Sequence, residues 1–251
     1  MEKYFEINES GHNIRSKLYY TPKQDIKKII IFLHGFAGHK DNGACEKFAN
    51  KVLEKTKGIA VVIFNWPCHG DDVKKKLCLQ DCMTYLELVI NYCKGTFGAE
   101  KLYSYATSFG GYLVLKYISE NGNPFEKIAL RCPAVNIHES LTRTIMRNDE
   151  YDKILKGKNV KVGFDRKIDI GLPFLNELLE NDIQELDFVD YADDLMIIHG
   201  TRDEVVSYVI SAVFADNNII EFVPVEGADH RFQNPLHMDI ATKKVFEFFG
   251  L

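Results

Sequence analysis

One short stretch constrains the fold of this chain more than any other. Leu102–Ala106 has the composition of a buried strand, and Tyr112–Ile118 has that of a helix. Ser108 lies between them, with an alanine two positions before it and a glycine two positions after it. Small residues at these positions allow the strand and the helix to pass within contact distance. The pattern predicts a sharp strand-to-helix turn that projects the hydroxyl group of Ser108 above a sheet.

A serine at such a turn can be a catalytic residue or only a structural one. The backbone N–H of the next residue, Phe109, would lie at a helix N-terminus, where it can bind an oxyanion. The alternative is that Ser108 only caps an ordinary helix. These five residues alone leave both interpretations open.

Other short apolar runs alternate with segments of helical pattern. The runs are nearly continuous, which is typical of strands covered on both faces of a parallel sheet. A hairpin around a polar turn precedes them, since Tyr4–Ile7 and Ile14–Tyr20 flank the segment Asn8-Glu9-Ser10-Gly11. The apolar runs are Ile29–Leu33, Ile59–Phe64, Lys127–Arg131, Asp194–His199 and Ile219–Val223. The pattern predicts an α/β fold with a mostly parallel central sheet flanked by helices.

About sixty residues separate two of the predicted strands, several times the length of an ordinary connection. We therefore predict an inserted cap over residues 136–190, on a core formed by residues 1–135 and 191–251. Within the cap, Glu139–Lys156 has a helical pattern. Two strictly alternating segments around Asp165-Arg166 predict a β-hairpin. A short helix follows.

Three loops that follow predicted strands carry residues suited to chemistry. The segment His34-Gly35-Phe36 ends one apolar run, and the N–H of Phe36 is a second candidate oxyanion donor. Asp203 and His230 each follow a later strand. Because the carboxyl ends of parallel strands meet at one edge of a sheet, these residues are expected near Ser108.

The order Ser108, Asp203, His230 resembles that of the α/β-hydrolases. Their loops, Ala-Thr-Ser-Phe-Gly, His-Gly-Thr-Arg-Asp-Glu-Val-Val and Gly-Ala-Asp-His, are similar to the nucleophile, acid and histidine loops of that family. The resemblance implies that Ser108 attacks the substrate, His230 accepts its proton and Asp203 orients the histidine. It also implies an oxyanion hole formed by Phe36 and Phe109.

Two acidic neighbours are rivals for the role of Asp203. Glu204 is adjacent to it, and Asp229 is adjacent to His230. Asp203 is preferred because it follows a strand directly and because adjacent side chains usually diverge. Both residues also have a purely structural alternative: Asp203 could cap the following helix, and His230 could be an ordinary loop histidine.

The His-Gly-Phe-x-Gly loop and the hairpin-bearing insertion look similar to those of bacterial cinnamoyl and feruloyl esterases. That resemblance implies a serine hydrolase of the carboxylesterase type, which cleaves small aryl esters through an acyl-enzyme intermediate. Serine aminopeptidase, thioesterase and acylglycerol lipase activities stay open as alternatives. A non-catalytic binding protein of the same fold is less favoured, because it has no reason to keep three such residues in register.

Composition narrows the class of partner. The net charge of -5 and the absence of a basic cluster argue against nucleic acid binding. No apolar run approaches membrane-spanning length and no signal peptide is evident, so a cytoplasmic location is expected. The six cysteines show no zinc-binding spacing. We expect no cofactor, no metal and a small-molecule ester substrate, and leave a homodimer open.

Overall fold

The computed structural model describes residues 1–251. The strands are β1 (Glu2–Glu9), β2 (His12–Tyr19), β3 (Lys28–Leu33), β4 (Ile59–Phe64), β5 (Lys101–Thr107), β6 (Lys127–Arg131), β7 (Val160–Val162), β8 (Ile168–Ile170), β9 (Leu195–Gly200) and β10 (Glu221–Val225). The α-helices are α1 (Gly43–Lys55), α2 (Leu79–Gly95), α3 (Phe109–Asn121), α4 (Ile137–Glu139), α5 (Asn148–Leu155), α6 (Leu172–Glu180), α7 (Tyr208–Asn217) and α8 (Pro235–Phe249). None of these helices has both the length and the apolar composition needed to cross a membrane.

Eight strands form one sheet in the order β1-β2-β4-β3-β5-β6-β9-β10. β2 pairs antiparallel with both β1 and β4, so the N-terminal hairpin extends one edge of the sheet. All other neighbouring strands in this sheet are parallel. The prediction of a mostly parallel central sheet is therefore confirmed.

Alternate residues of β3 enter two different apolar clusters. Ile29 and Ile31 belong to one, and Ile30 and Phe32 belong to the other. Successive side chains of a strand point to opposite faces, so both faces of the sheet are covered. Buried residues of α2 and α3 belong to the first cluster, and those of α1 and α8 belong to the second. This coverage explains why the parallel strands are apolar along their whole length.

The segment after β6 differs from the single helix predicted for Glu139–Lys156. A π-helix covers Ser140–Ile145, the chain is extended at Arg147, and α5 then begins. The carboxylate of Glu150 accepts the backbone N–H of Arg147 at 3.0 Å, which satisfies a donor at the start of α5. This local bond favours a new helix start, and the prediction of one continuous helix is wrong.

β7 and β8 pair antiparallel, with Val160 opposite Ile170, which confirms the predicted hairpin. Apolar side chains of this hairpin and of α6 are buried in the same cluster as α2 and α3. The inserted elements therefore pack directly on the main core. The division into a core and a cap at residues 136–190 stays a prediction.

Candidate active site

Ser108 lies between β5 and α3 in a backbone conformation that L-residues rarely adopt. Its φ is 50° and its ψ is -115°. Such a conformation costs roughly 1–3 kcal/mol and persists only when its surroundings hold it. The backbone N–H of Ser108 donates to the carbonyl oxygen of Arg131 at 3.0 Å, and its carbonyl oxygen accepts from Tyr112 at 3.1 Å. The sharp turn expected from the sequence is present.

Two glycines allow this turn to lie against the loop that follows β3. A Cβ on Gly110 would be 2.4 Å from the carbonyl oxygen of Leu33 and 2.8 Å from that of His34. Both atoms belong to the backbone and cannot move aside easily. A Cβ on Gly35 would approach the Cβ of Ser108 at 3.2 Å. The close approach therefore requires small residues on both sides.

The backbone N–H groups of Phe36 and Phe109 donate no hydrogen bond within the protein. Phe36 follows Gly35, which contacts Ser108, and Phe109 is the first residue of α3. The two phenyl rings meet edge to face with their centroids 5.8 Å apart. Unpaired N–H groups at a helix N-terminus favour negative charge. The arrangement therefore offers two free donors close to the hydroxyl group of Ser108.

His230 connects Ser108 to a buried carboxylate. Its Nε2 lies 3.0 Å from the Oγ of Ser108, and its Nδ1 lies 2.7 Å from the Oδ2 of Asp203. The imidazole is largely buried and the carboxylate is fully buried. When Nδ1 donates to the carboxylate, Nε2 is left to accept the serine proton. The structure thus brings together three residues that follow β5, β9 and β10.

The carboxylate of Asp203 accepts hydrogen bonds on both oxygens. Its Oδ1 accepts the backbone N–H groups of Val205 and Val206, each at 2.8 Å. Its Oδ2 lies 2.7 Å from His230 and 3.1 Å from the Nε2 of His199. Burial opposes ionisation, but the hydrogen bonds from His199 and His230 outweigh it and hold the pKa of Asp203 well below its ordinary value. The carboxylate is therefore ionised at neutral pH.

His199 is a residue of this site that the sequence did not identify. Its side chain is fully buried, and its Nε2 lies 3.1 Å from Asp203 and 3.3 Å from the carbonyl oxygen of Val206. Both neighbours are acceptors, so this nitrogen carries a proton. The available signal was a histidine at the end of a strand, four residues before the acid.

The two rival acids take other partners. Glu204 accepts the backbone N–H of His230 at 3.2 Å, and Asp229 accepts that of Gln233 at 3.0 Å. Neither carboxylate hydrogen-bonds to the imidazole ring. Residues 203–207 form a loop around the acid, and α7 begins after this loop, at Tyr208.

Two further histidines near the site have structural contacts. The Nδ1 of His34 lies 2.9 Å from the carbonyl oxygen of Gly35, and the Nδ1 of His69 lies 2.8 Å from that of Pro67. Burial lowers the pKa of His34 to about 3 and that of His69 to about 4. Both rings are therefore neutral and hold their loops in place.

One group of side chains has the composition of a metal site. Ligand atoms of Cys132, Asp203 and His230 lie within 4.8 Å of one another. A cysteine must lose its proton to bind a metal, and burial raises the pKa of Cys132 well above its ordinary value. Asp203 and His230 already bond to each other. These contacts fit a hydrogen-bonded network better than a metal centre.

A cleft of about 410 Å³ opens beside Ser108 and His230. Polar residues and glycines form most of its wall. Two apolar residues of the inserted segment, Ile145 and Phe164, reach the cleft. Other apolar residues of this segment are buried in the core, among them Met146, Val160, Val162, Ile168, Ile170, Phe174 and Leu175.

Comparison with known proteins identifies the family. The model of the family described as serine aminopeptidase, S33, matches residues 24–167, which is more than half of the chain. This chain belongs to that family. The matched region of this S33-type hydrolase includes the Phe36 loop and the Ser108 turn, but it ends before Asp203 and His230. The expectation of a serine α/β-hydrolase is thereby confirmed.

Solved structures of similar shape cover nearly the whole S33-type chain. Est1E from Butyrivibrio proteoclasticus, solved with ferulic acid bound, is 18% identical with a TM-score of 0.76, covering 98% of this chain and 100% of Est1E. A putative hydrolase from Agrobacterium vitis S4 is 15% identical with a TM-score of 0.76, covering 99% of each chain. Monoglyceride lipase from Saccharomyces cerevisiae is 12% identical with a TM-score of 0.72, covering 98% of this chain and 94% of the lipase. At these identities the likeness establishes the α/β-hydrolase fold. No curated protein sequence matches this chain significantly.

Proposed function

We propose that this protein hydrolyses carboxylic esters with Ser108 as the nucleophile. The observation that carries the proposal is the continuous hydrogen-bonded chain from Ser108 through His230 to Asp203, beside two unused backbone N–H groups. A serine hydroxyl is a weak nucleophile until a base accepts its proton. The imidazole of His230 is within hydrogen-bonding distance to do so.

In the acylation step, the Oγ of Ser108 attacks the ester carbonyl carbon while the Nε2 of His230 takes the serine proton. The carbonyl oxygen becomes an oxyanion, which the N–H groups of Phe36 and Phe109 stabilise. The C–O bond to the alcohol then breaks, and His230 returns the proton to the departing alcohol. Water then attacks the acyl carbonyl carbon while the same imidazole takes a proton from it. The C–O bond to the Oγ of Ser108 breaks, the carboxylic acid leaves, and His230 returns the proton to the serine.

The oxyanion donors, Asp203 and the Ser108 turn each contribute to catalysis in a different way. One oxyanion donor is worth about 3–4 kcal/mol of barrier lowering. Asp203 keeps the proton of neutral His230 on Nδ1 and stabilises the imidazolium that forms during attack. Ser108 has a positive φ at the strand-to-helix turn and lines the cleft, as a nucleophile at such a turn does.

The inserted residues 136–190 act as a cap and restrict the substrate to small esters. Phe164 and Ile145 are the apolar side chains that this segment contributes to the cleft wall. A planar aryl group fits between such side chains, whereas a long alkyl chain finds no extended apolar channel. Esters of the feruloyl type are therefore proposed above long-chain esters. Est1E, the neighbour with ferulic acid bound, is consistent with this preference.

The test compares kcat/KM for methyl ferulate, p-nitrophenyl butyrate, p-nitrophenyl palmitate, an aminoacyl p-nitroanilide and an acyl-CoA. Wild-type protein should hydrolyse the two small esters best, and Ser108→Ala should abolish the activity. A preference for the aminoacyl amide would replace esterase by aminopeptidase activity. Preference for palmitate would remove the size restriction, and activity that survives Ser108→Ala would refute the nucleophile.

A further inference from the structure

The cleft beside Ser108 is rich in guanidinium groups. Arg131, Arg166 and Arg231 line it, and Asp165 is the one carboxylate in its wall. Asp165 pairs with Arg231 at 3.2 Å. Neither Arg131 nor Arg166 forms an ion pair with any carboxylate of the protein. The cleft therefore holds two uncompensated positive charges, although the chain as a whole carries a net charge of -5.

Arg131 is the more informative of the two, because it is buried. It is the last residue of β6, next to Ser108 across the strand pair, and only 9% of its surface is exposed. Its Nη1 contacts the sulfur of Met238 at 3.1 Å, and its guanidinium lies over the ring of Phe232, 5.2 Å from the centroid. Its buried Nε has no hydrogen-bond partner. A methionine sulfur and a phenyl ring are weak partners for a full positive charge.

Burying an unpaired charge costs several kcal/mol, so buried cations normally have an anion beside them. Here the protein supplies none, while Arg131 lines the cavity that also holds Ser108. Arginine is the side chain best suited to bind a carboxylate or phosphate, because its planar fork donates two parallel hydrogen bonds. A bound oxyanion would compensate the charge that the fold leaves unpaired.

A second cavity adjoins the cleft at this side chain. This groove of about 440 Å³ lies between α1 and α8, and Arg131 lines both it and the cleft. Tyr105 lies in the groove wall, is almost fully buried, and has a hydroxyl group without a hydrogen-bond partner. Lys47 is at the same groove. Arg131 and Tyr105 therefore each have a buried donor atom at this junction that no group of the protein accepts.

We propose that the cleft selects esters that carry a second, anionic group, a carboxylate or a phosphate, and that Arg131 binds this group. The inference rests on the proposed function, since it names the substrate class of the same site. Arg166, which is exposed at the cleft mouth, assists by attraction at longer range. The same charges disfavour substrates with a free α-ammonium group, as an aminopeptidase requires.

The test uses two esters of equal length that differ at the far end of the acyl chain. p-Nitrophenyl hydrogen adipate ends in a carboxylate, and p-nitrophenyl hexanoate ends in a methyl group. The measured quantity is the ratio of their kcat/KM values. Arg131→Met keeps the aliphatic stem on Phe232 but removes the charge, and should lower this ratio about 10- to 100-fold, as expected for a hydrogen-bonded ion pair. Arg131→Lys keeps the charge but loses the planar fork, and should lower the ratio less than Arg131→Met does.

Arg143→Gln is the matched control. Arg143 lies on the insertion, pairs with Glu139 and does not line the cleft. Its removal should leave the ratio unchanged. Arg166→Gln should lower the ratio only a few-fold, roughly threefold, because its charge is screened by solvent. Two further esters carry the anion on the alcohol side: p-acetoxybenzoate has a carboxylate and p-acetoxyphenyl phosphate has a phosphate. Each is compared with the neutral p-tolyl acetate. The two ratios show whether an anion on the alcohol side is preferred, and whether carboxylate or phosphate is preferred.

A second measurement needs no variant and no turnover. Adipate dianion should slow the labelling of wild-type Ser108 by a fluorophosphonate probe, whereas hexanediol, its neutral counterpart, should not. The proposal is overturned if adipate gives no protection, or if Arg131→Met folds and the ratios of all three ester pairs match wild type. In either case, continued labelling of Ser108 and hydrolysis of the hexanoate ester would leave the proposed esterase function standing. Absence of labelling would refute that function itself.

Discussion

Asp203→Asn is the substitution whose effect the structure specifies in most detail. Oδ1 accepts two backbone N–H groups, from Val205 and Val206, each at 2.8 Å. In the variant, the amide oxygen must keep this position, because an NH₂ group there would face two donors. The NH₂ group is thereby placed at the position of Oδ2, facing the Nδ1 of His230 and the Nε2 of His199. Unlike backbone N–H groups, these ring nitrogens can become acceptors by a change of tautomer. The NH₂ group can only donate to the Nδ1 of His230.

The consequence is an imidazole with its proton on the wrong side. Nδ1 of His230 becomes an acceptor, so the neutral ring carries its proton on Nε2 and can no longer accept one from Ser108. The stabilising charge beside the imidazolium is lost as well. We expect kcat to fall by roughly 10³- to 10⁴-fold, equivalent to about 4 to 5 kcal/mol of transition-state stabilisation, with little change in fold. The assay is the steady-state hydrolysis of p-nitrophenyl butyrate.

Two matched variants test the assignment. Glu204→Gln retains an oxygen for the backbone N–H of His230, and Asp229→Asn retains one for Gln233. Each should lower kcat less than about tenfold. Asp203 is not the acid that orients His230 if kcat of Asp203→Asn stays within tenfold of wild type, or if either control variant has the lower kcat.

Three further outcomes follow from the same structure. Gly110→Ala should destabilise the fold by about 3 kcal/mol or more, because the new methyl group would meet backbone atoms. Gly95→Ala is the control, because its methyl group meets nothing, and it should stabilise the fold by about 0.5–1 kcal/mol. Equal urea midpoints for the two variants would contradict the close approach at Gly110. Since the folded pKa of His69 is about 4 and that of the unfolded chain is about 6.5, the unfolded state binds the extra proton between these values. The stability that neutral His69 confers therefore falls as pH drops. Between about pH 6.5 and pH 5, the free energy of unfolding of wild type should fall by about 1.5 kcal/mol more than that of His69→Asn. Parallel urea-unfolding profiles would contradict this. His199→Phe removes a donor to Asp203 and should lower kcat about 10-fold or more; an unchanged kcat would make His199 dispensable.

The elements that the sequence predicted best are those whose environment is uniform along their length. Strands such as Ile59–Phe64 are buried on both faces, so every residue is apolar and the pattern is unambiguous. The Ser108 turn was readable because close packing of strand and helix demands small neighbours. The new helix start after Arg147 was not readable from the sequence. The helical periodicity continues on both sides of it, and a single hydrogen bond, from the backbone N–H of Arg147 to Glu150, favours the break.

The parts of the site that the sequence did not reveal depend on distant partners. His199 lies near the end of a predicted strand, and only its contact with Asp203 makes it part of the site. Arg131 ends an apolar strand, and its unpaired charge is visible only once Phe232 and Met238 are known to surround it. These residues are far apart in the chain, so no local pattern links them.

A fluorophosphonate probe reports whether Ser108 is an activated nucleophile, on which the proposed hydrolysis depends. Incubation of the folded protein with the probe, followed by peptide mass spectrometry, should give a single adduct on Ser108. The adduct should be absent from Ser108→Ala and should form far more slowly in His230→Ala, which keeps the hydroxyl group but removes its base. An adduct on a different serine, or no adduct on well-folded wild-type protein, would contradict the account.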